Sequence, residues 1–190
     1  MSAFDLIMTL LSFVFALAIA HVLTTVAELI RSWKRVRFSW LNAFAMLNAL
    51  LTVVSWWIGL WDLRALEGWS TGSICVMFAL AMLIYLQSRL ACVDVVRNEP
   101  VDMAGFHAES GWQYLSLAAL VFWLSVPINF SFGHAANASE MLEQNMVVLP
   151  MALSITVAAI WTRPRVQAIA AAITLVCWVI YFTTLQATLR

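Results

Sequence analysis

The chain has 190 residues, 64% hydrophobic and only 11% charged, with a formal net charge of zero. Soluble domains hold roughly 45–50% apolar and about 25% charged residues, so this excess cannot be hidden in a water-soluble globule of this size. No polar stretch is long enough for a soluble domain, and no basic run suits nucleic acid, which leaves residues 1–190 as one all-α polytopic membrane domain bathed in lipid.

A helix crosses a bilayer with about 20 mainly apolar residues. The sequence predicts six such spans in a compact bundle: Phe4–Ile30, Ser39–Asp62, Ser70–Val93, Gly111–Phe132, Met146–Trp161 and Val166–Leu189. The first carries two polar faces. At about 100° per residue, Asp5, Thr9, Ser12, Ala16, Ala20 and Ala27 share a stripe of small residues that would let two backbones approach closely. His21, Thr24, Thr25 and Glu28 form a second stripe, centred about 130° away. Glu28 lies about 10 Å beyond His21 along the axis, near the interface, where pairing with Arg31 is expected. His21 has two readings: a neutral imidazole bonded to a neighbouring helix, or the titrating or gating group of a short polar vestibule. The run "ALAIA" ending at Ala20 has the look of a cleavage site. However, Asp5 occupies the place of a basic n-region and the basic cluster follows the apolar run, so a retained span is expected.

The loop "RSWKRVRF" brings Arg31, Lys34, Arg35 and Arg37 together between Trp33 and Phe38, a composition suited to anionic lipid headgroups. In the second span Ala45, Asn48, Thr52, Ser55, Gly59 and Asp62 share one side, with Trp57 and Trp61 pointing away. An unpaired amide in hydrocarbon costs several kcal/mol. Asn48, Thr52 and Ser55 are therefore expected either to bond a neighbouring helix or to line a hydrated cavity. The connector "DVVRNEPVDMAGFHAES" reads as a solvated acidic loop containing His107. In the fourth span Pro127 frees a carbonyl that Ser125, Asn129 or Ser131 would satisfy. Pro150 stands near the start of the fifth span, and Arg163 and Arg165 sit in the tight turn before the sixth.

Of the ten Lys and Arg residues, Arg31, Lys34, Arg35, Arg37, Arg89, Arg97, Arg163 and Arg165 fall on one side, leaving Arg64 and Arg190 on the other. By the positive-inside rule the basic loops are cytoplasmic and both termini lie outside. Cys75, Cys92 and Cys177 stand singly and read as small core residues. The other histidines, His107 and His134, fall in loops away from His21, so neither haem nor a metal is expected, and no cofactor. Asn137–Ser139 forms a formal glycosylation sequon. No phosphate loop and no nucleophile with a base appears, so no catalytic residue is assigned.

The start "MSAFDLIMTLLSFVFALAIAHVL", the basic first loop, "VVSWWIGLWDL" and a fainter "VDMAGFHAE" together resemble a loose group of small bacterial inner-membrane proteins with about six spans. That resemblance implies an inner-membrane location and brings no substrate, cofactor or site residue. The expectation is a channel or transporter for an ion or small solute, with a polar cavity near spans one and two, as a homo-oligomer sealed by small-residue faces. The alternative is a non-transporting scaffold, assembly or accessory subunit of a larger membrane complex.

Overall fold

The computed structural model describes residues 3–65, 69–96, 99–132, 139, 142 and 145–188. Arg97, His134, Asn137, Leu189 and Arg190 lie outside them, as does the side chain of Asp62. Among the described residues the chain is all-α. Its six helices are α1 (Ala3–Arg31), α2 (Trp40–Gly59), α3 (Thr71–Ala91), α4 (Met103–Phe132), α5 (Val148–Ile160) and α6 (Pro164–Thr188). Two short strands, β1 (Val36–Arg37) and β2 (Val101–Asp102), precede α2 and α4. The exterior is apolar, with Leu6 62%, Phe13 67% and Val176 58% exposed, while Asn42, Thr52, Ser88 and Thr174 are fully buried. Leaving a Leu or Phe side chain in water forfeits about 1.5–3 kcal/mol, and leaving it in lipid forfeits almost nothing. This inside-out distribution fits a bilayer.

Five helices, α1 to α4 and α6, are long and apolar enough to cross a membrane, with mean hydropathy from 1.5 to 2.5. The fifth predicted span is shorter than expected. Its 13-residue helix covers about 20 Å, against about 30 Å of hydrocarbon. Residues 145–147 form a turn rather than helix, and Asn145 is buried there as the acceptor for the Asn129 amide (3.0 Å). Pro150 sits in the first turn of α5, where an N–H would have no helical partner. Pro164 opens α6 for the same reason.

The chain divides within α4, after Tyr114, into two compact units. In the first, α1 packs chiefly along α3, and α2 packs on both. The buried stripe of α1 is Ile7, Leu11, Phe15, Ala18, Val22 and Thr25, at the three-and-four spacing of one helix face. Ala16, Ala20 and Ala27 are exposed, so the alanines of the small-residue face are not buried against the described residues. Ser12 is half-buried and accepts from Trp57 Nε1 (3.3 Å). On α2, Ala45 is buried, whereas a Cβ at Gly59 would meet nothing within 4 Å, so that glycine marks no close approach.

The ends of α1 and α3 and the starts of α2 and α4 converge. Strand β1 pairs in parallel with β2, Val36 opposite Val101 and Arg37 opposite Asp102. Arg37 and Asp102 form an ion pair (3.2 Å). Val93, Val101 and Met103 are buried beside Leu29, Val36, Ala43 and Phe106. Arg31, Lys34 and Arg35 stand exposed at this end, and Arg89 pairs there with Asp94 (3.0 Å). The connector reading is corrected at this point: α4 begins at Met103 rather than at Gly111. The cause is Asp102, whose Oδ1 accepts from the N–H groups of Ala104 (3.1 Å) and Gly105 (3.0 Å) and so caps the helix.

In the second unit α5 and α6 form a tight antiparallel pair. Ser154 and Thr174 hydroxyls bond across it (3.0 Å), and Gln167 Nε2 donates to the Ala158 carbonyl (3.3 Å). Trp123 Nε1 on α4 donates to Thr156 (3.0 Å). Ser125 donates to the Val121 carbonyl (2.8 Å) and Asn129 to Asn145, so neither turns to the Trp123 carbonyl that Pro127 frees.

The Gly105 N–H, and after it the Arg37 guanidinium, hold the Asp102 carboxyl below its ordinary value of 3.8. With a depressed folded-state value, its stabilisation is present above the ordinary value and is lost as pH falls through the lowered one. The unfolding temperature of the wild type in detergent is therefore expected to fall more steeply below about pH 4 than that of Asp102→Asn, which has no carboxyl to titrate. Parallel curves would contradict this. A Cβ at Gly105 would lie 2.8 Å from Asp102 Oδ2, the oxygen that holds Arg37, so Gly105→Ala should flatten the acid dependence as well.

Candidate polar site in the first unit

The hydroxyl row of α2 satisfies itself. Thr52 donates to the Asn48 carbonyl (2.7 Å) and Ser55 to the Thr52 carbonyl (2.9 Å), all three side chains being buried. Such back-bonding lets a hydroxyl sit in an apolar surrounding without a second helix. The row therefore presents little hydrogen-bonding capacity to a cavity, and interhelical bonding is not how its hydroxyls are satisfied.

The second stripe of α1 divides. Thr24 is exposed, while Thr25 is buried and lies close to the Cys92 thiol just past the end of α3. Glu28 is half-buried and makes no ion pair with Arg31 among the described residues, whose ion pairs join Arg37 to Asp102 and Arg89 to Asp94. His21 is half-buried, and its Nε2 is fully enclosed without a hydrogen-bond partner. The charges that reach it are Arg89, Asp94 and Glu28. Cys92 and Cys177 are buried, but Cys75 is exposed and so is not a core residue.

Four residues outside the predicted stripes belong to the same region. Asn42, in the first turn of α2, is completely buried and donates through Nδ2 to the Ala91 carbonyl (3.0 Å). Its amide lies beside the hydroxyl of buried Tyr114. That hydroxyl bonds His107 Nδ1 two turns earlier on the same helix, α4. Gly111, between them on the same face, leaves just enough room, since a Cβ would lie 3.5 Å from the Tyr114 hydroxyl. His107 is thus a buried helical residue, not a loop histidine. Gln87, one turn before Ala91, is 2% exposed, and its Oε1 has no partner; neither has Asn42 Oδ1.

The register follows from these bonds. Thr25 meets Cys92 and Asn42 meets Ala91, so those four lie at one level. One turn deeper, about 6 Å along each axis, come His21 on α1 and Gln87 on α3. Three orphaned polar atoms, His21 Nε2, Asn42 Oδ1 and Gln87 Oε1, thus fall within about one turn of the same depth. Gln87 with Ser88 in "YLQSRL" is the sequence signal for this region, as an amide beside a serine in an apolar span. No family model, curated protein or solved structure matches the chain.

Tyr114→Phe removes the buried hydroxyl that bonds His107 Nδ1. It should destabilise the protein by about 1–3 kcal/mol, read as thermal unfolding in detergent. The half-buried Tyr85 serves as control through Tyr85→Phe. An equal effect of the two substitutions would show that the buried chain contributes nothing.

Proposed function

We propose that the protein is a small membrane transporter or channel-forming subunit for an ion or small solute, with its binding site in the first unit between α1, α2 and α3. One observation carries the reading: three buried polar atoms, His21 Nε2, Asn42 Oδ1 and Gln87 Oε1, have no hydrogen-bond partner among the described residues. Each such atom costs about 1–3 kcal/mol, so three together approach the whole stability of a small domain, about 5–15 kcal/mol. A purely structural core would hold leucine in those places. A resident molecule that bonds all three offsets the cost.

Apolar side chains lie on both sides of the site along the bundle. Val93, Val101 and Met103 are packed toward the basic-loop end, and Leu11, Phe15, Met77 and Leu80 are buried in the other half. Such an occluded site suits alternating access better than a permanent pore. In this reading the basic loops face the cytoplasm of a bacterial inner membrane and both termini face the periplasm. The short α5 then makes the sixth crossing and carries Arg163 and Arg165 to the cytoplasmic side.

The test is purified protein in liposomes, with a panel of ion and solute gradients at about pH 5.5 and 8, on either side of the ordinary histidine range. Flux above that of empty vesicles is expected, with any pH dependence lost in His21→Leu. Absence of flux for every species at both pH values would remove the reading. A non-transporting subunit is the second reading. It is favoured by the exposed Ala16–Ala20–Ala27 side of α1, which suits a partner helix. Purification in mild detergent without a stoichiometric partner would count against it.

A further inference from the structure

We infer that the turn following α1 is a docking surface for the headgroup of an anionic phospholipid, with Arg31, Lys34 and Arg35 as its cations. The inference goes beyond the transport reading and does not rest on it. Its basis is how the structure sorts the charges where α1 and α3 end. Arg37 is matched by Asp102, and Arg89 by Asp94. Arg31, Lys34 and Arg35 are exposed, and their side chains make no ion pair or hydrogen bond among the described residues. Glu28, half-buried and one turn before Arg31, offsets at most one of them.

The backbone keeps these cations together. The Ser32 N–H bonds the Glu28 carbonyl (3.0 Å) and the Arg35 N–H bonds the Ser32 carbonyl (2.8 Å), so α1 runs directly into a 3₁₀ turn, Trp33–Arg35. A chain coiled in this way advances about 2 Å per residue, or about 8 Å from Arg31 to Arg35. Pairing of Val36 with Val101 ties the far side of the turn to β2. A ligand therefore has less ordering to impose. Because α1 and α2 are both long and apolar enough to cross a bilayer, the turn that joins them stands at its surface.

Aromatic residues single out a lipid over a soluble anion. Trp33, Phe38 and Trp40 flank the cations and are exposed, and such rings settle at the level of the headgroups. A phosphodiester presents oxygens to the guanidinium fork of either arginine and negative charge to Lys34. Glu28, Asp94, Glu99 and Asp102 lie in the same region of the chain, so no strong general field surrounds it. The attraction is local to the turn.

Native mass spectrometry of the detergent-purified protein tests the inference, with phosphatidylglycerol and phosphatidylcholine of matched chains added in competition. The wild type is expected to retain phosphatidylglycerol in preference. Lys34→Gln should reduce that preference about fivefold, the value of one Lys or Arg near an anionic surface. The triple variant Arg31→Gln, Lys34→Gln, Arg35→Gln should abolish it. Should the triple variant insert badly, Lys34→Gln alone decides, since it keeps the other basic residues of the loop. Arg37→Gln combined with Asp102→Asn removes a matched pair at constant net charge and should leave the preference intact. Equal retention of the two lipids by the wild type would overturn the inference. So would a loss in the Arg37 and Asp102 double variant as large as that in Lys34→Gln. Displacement of phosphatidylglycerol by inorganic phosphate would also overturn it, marking a site for a soluble anion.

Discussion

Inside a bilayer a polar group has no water to turn to, so it must find its partner in the protein or in something the protein holds. The first unit is organised around that constraint at one end. The Asn42 amide ties α2 to the last carbonyl of α3 beside the Tyr114 hydroxyl of α4, which bonds His107 on its own helix. Asp102 supplies the missing acceptor for the start of α4 and in the same carboxylate holds Arg37 from the first loop. Removing any of these leaves a donor or acceptor bare. The start of α2 is thereby held to the end of α3, and the start of α4 to the first loop.

Much of the helical architecture was legible because length and apolar content suffice to find a span. Where the reading departed from the structure, the cause was local chemistry or an ambiguity of lipid. The start of α4 was hidden by acidic residues that suggested a solvated connector, although Asp102 just before Met103 is an ordinary helix-capping residue. The fifth span lost its first residues to a turn held by Asn129 and Asn145, a pairing that sequence spacing does not reveal. On α1 the small residues and the leucines were equally plausible inward faces. Lipid tails are as apolar as leucine, so hydropathy cannot say which stripe meets protein. Packing against α3 selected Leu11, Phe15 and Val22.

The candidate site was legible only in part. His21 stood out as an imidazole at membrane depth, and Thr25 came with it. The α2 row that seemed its natural companion proved to bond its own backbone. The partners of His21 in depth are instead Asn42 and Gln87, which lie far apart in the chain and share no helical spacing with it. Only the packing register, with α1 parallel to α3 and α2 antiparallel to both, brings them near one level through Thr25 beside Cys92 and Asn42 on Ala91. A lone intramembrane histidine thereby becomes one of three groups with unspent hydrogen-bonding capacity, which changes the question from what His21 titrates to what the three groups hold.

The central claim is that these three groups surround a small hydrogen-bonding molecule rather than dry packing. Water-edited solid-state NMR of the labelled protein in lipid bilayers tests it most directly, since water is the smallest such occupant. Magnetisation from water should reach the side chains of His21, Asn42 and Gln87 well before it reaches Leu80 or Ile84 on the same α3 core. Transfer to His21, Asn42 and Gln87 no faster than to Leu80 and Ile84 would contradict the claim.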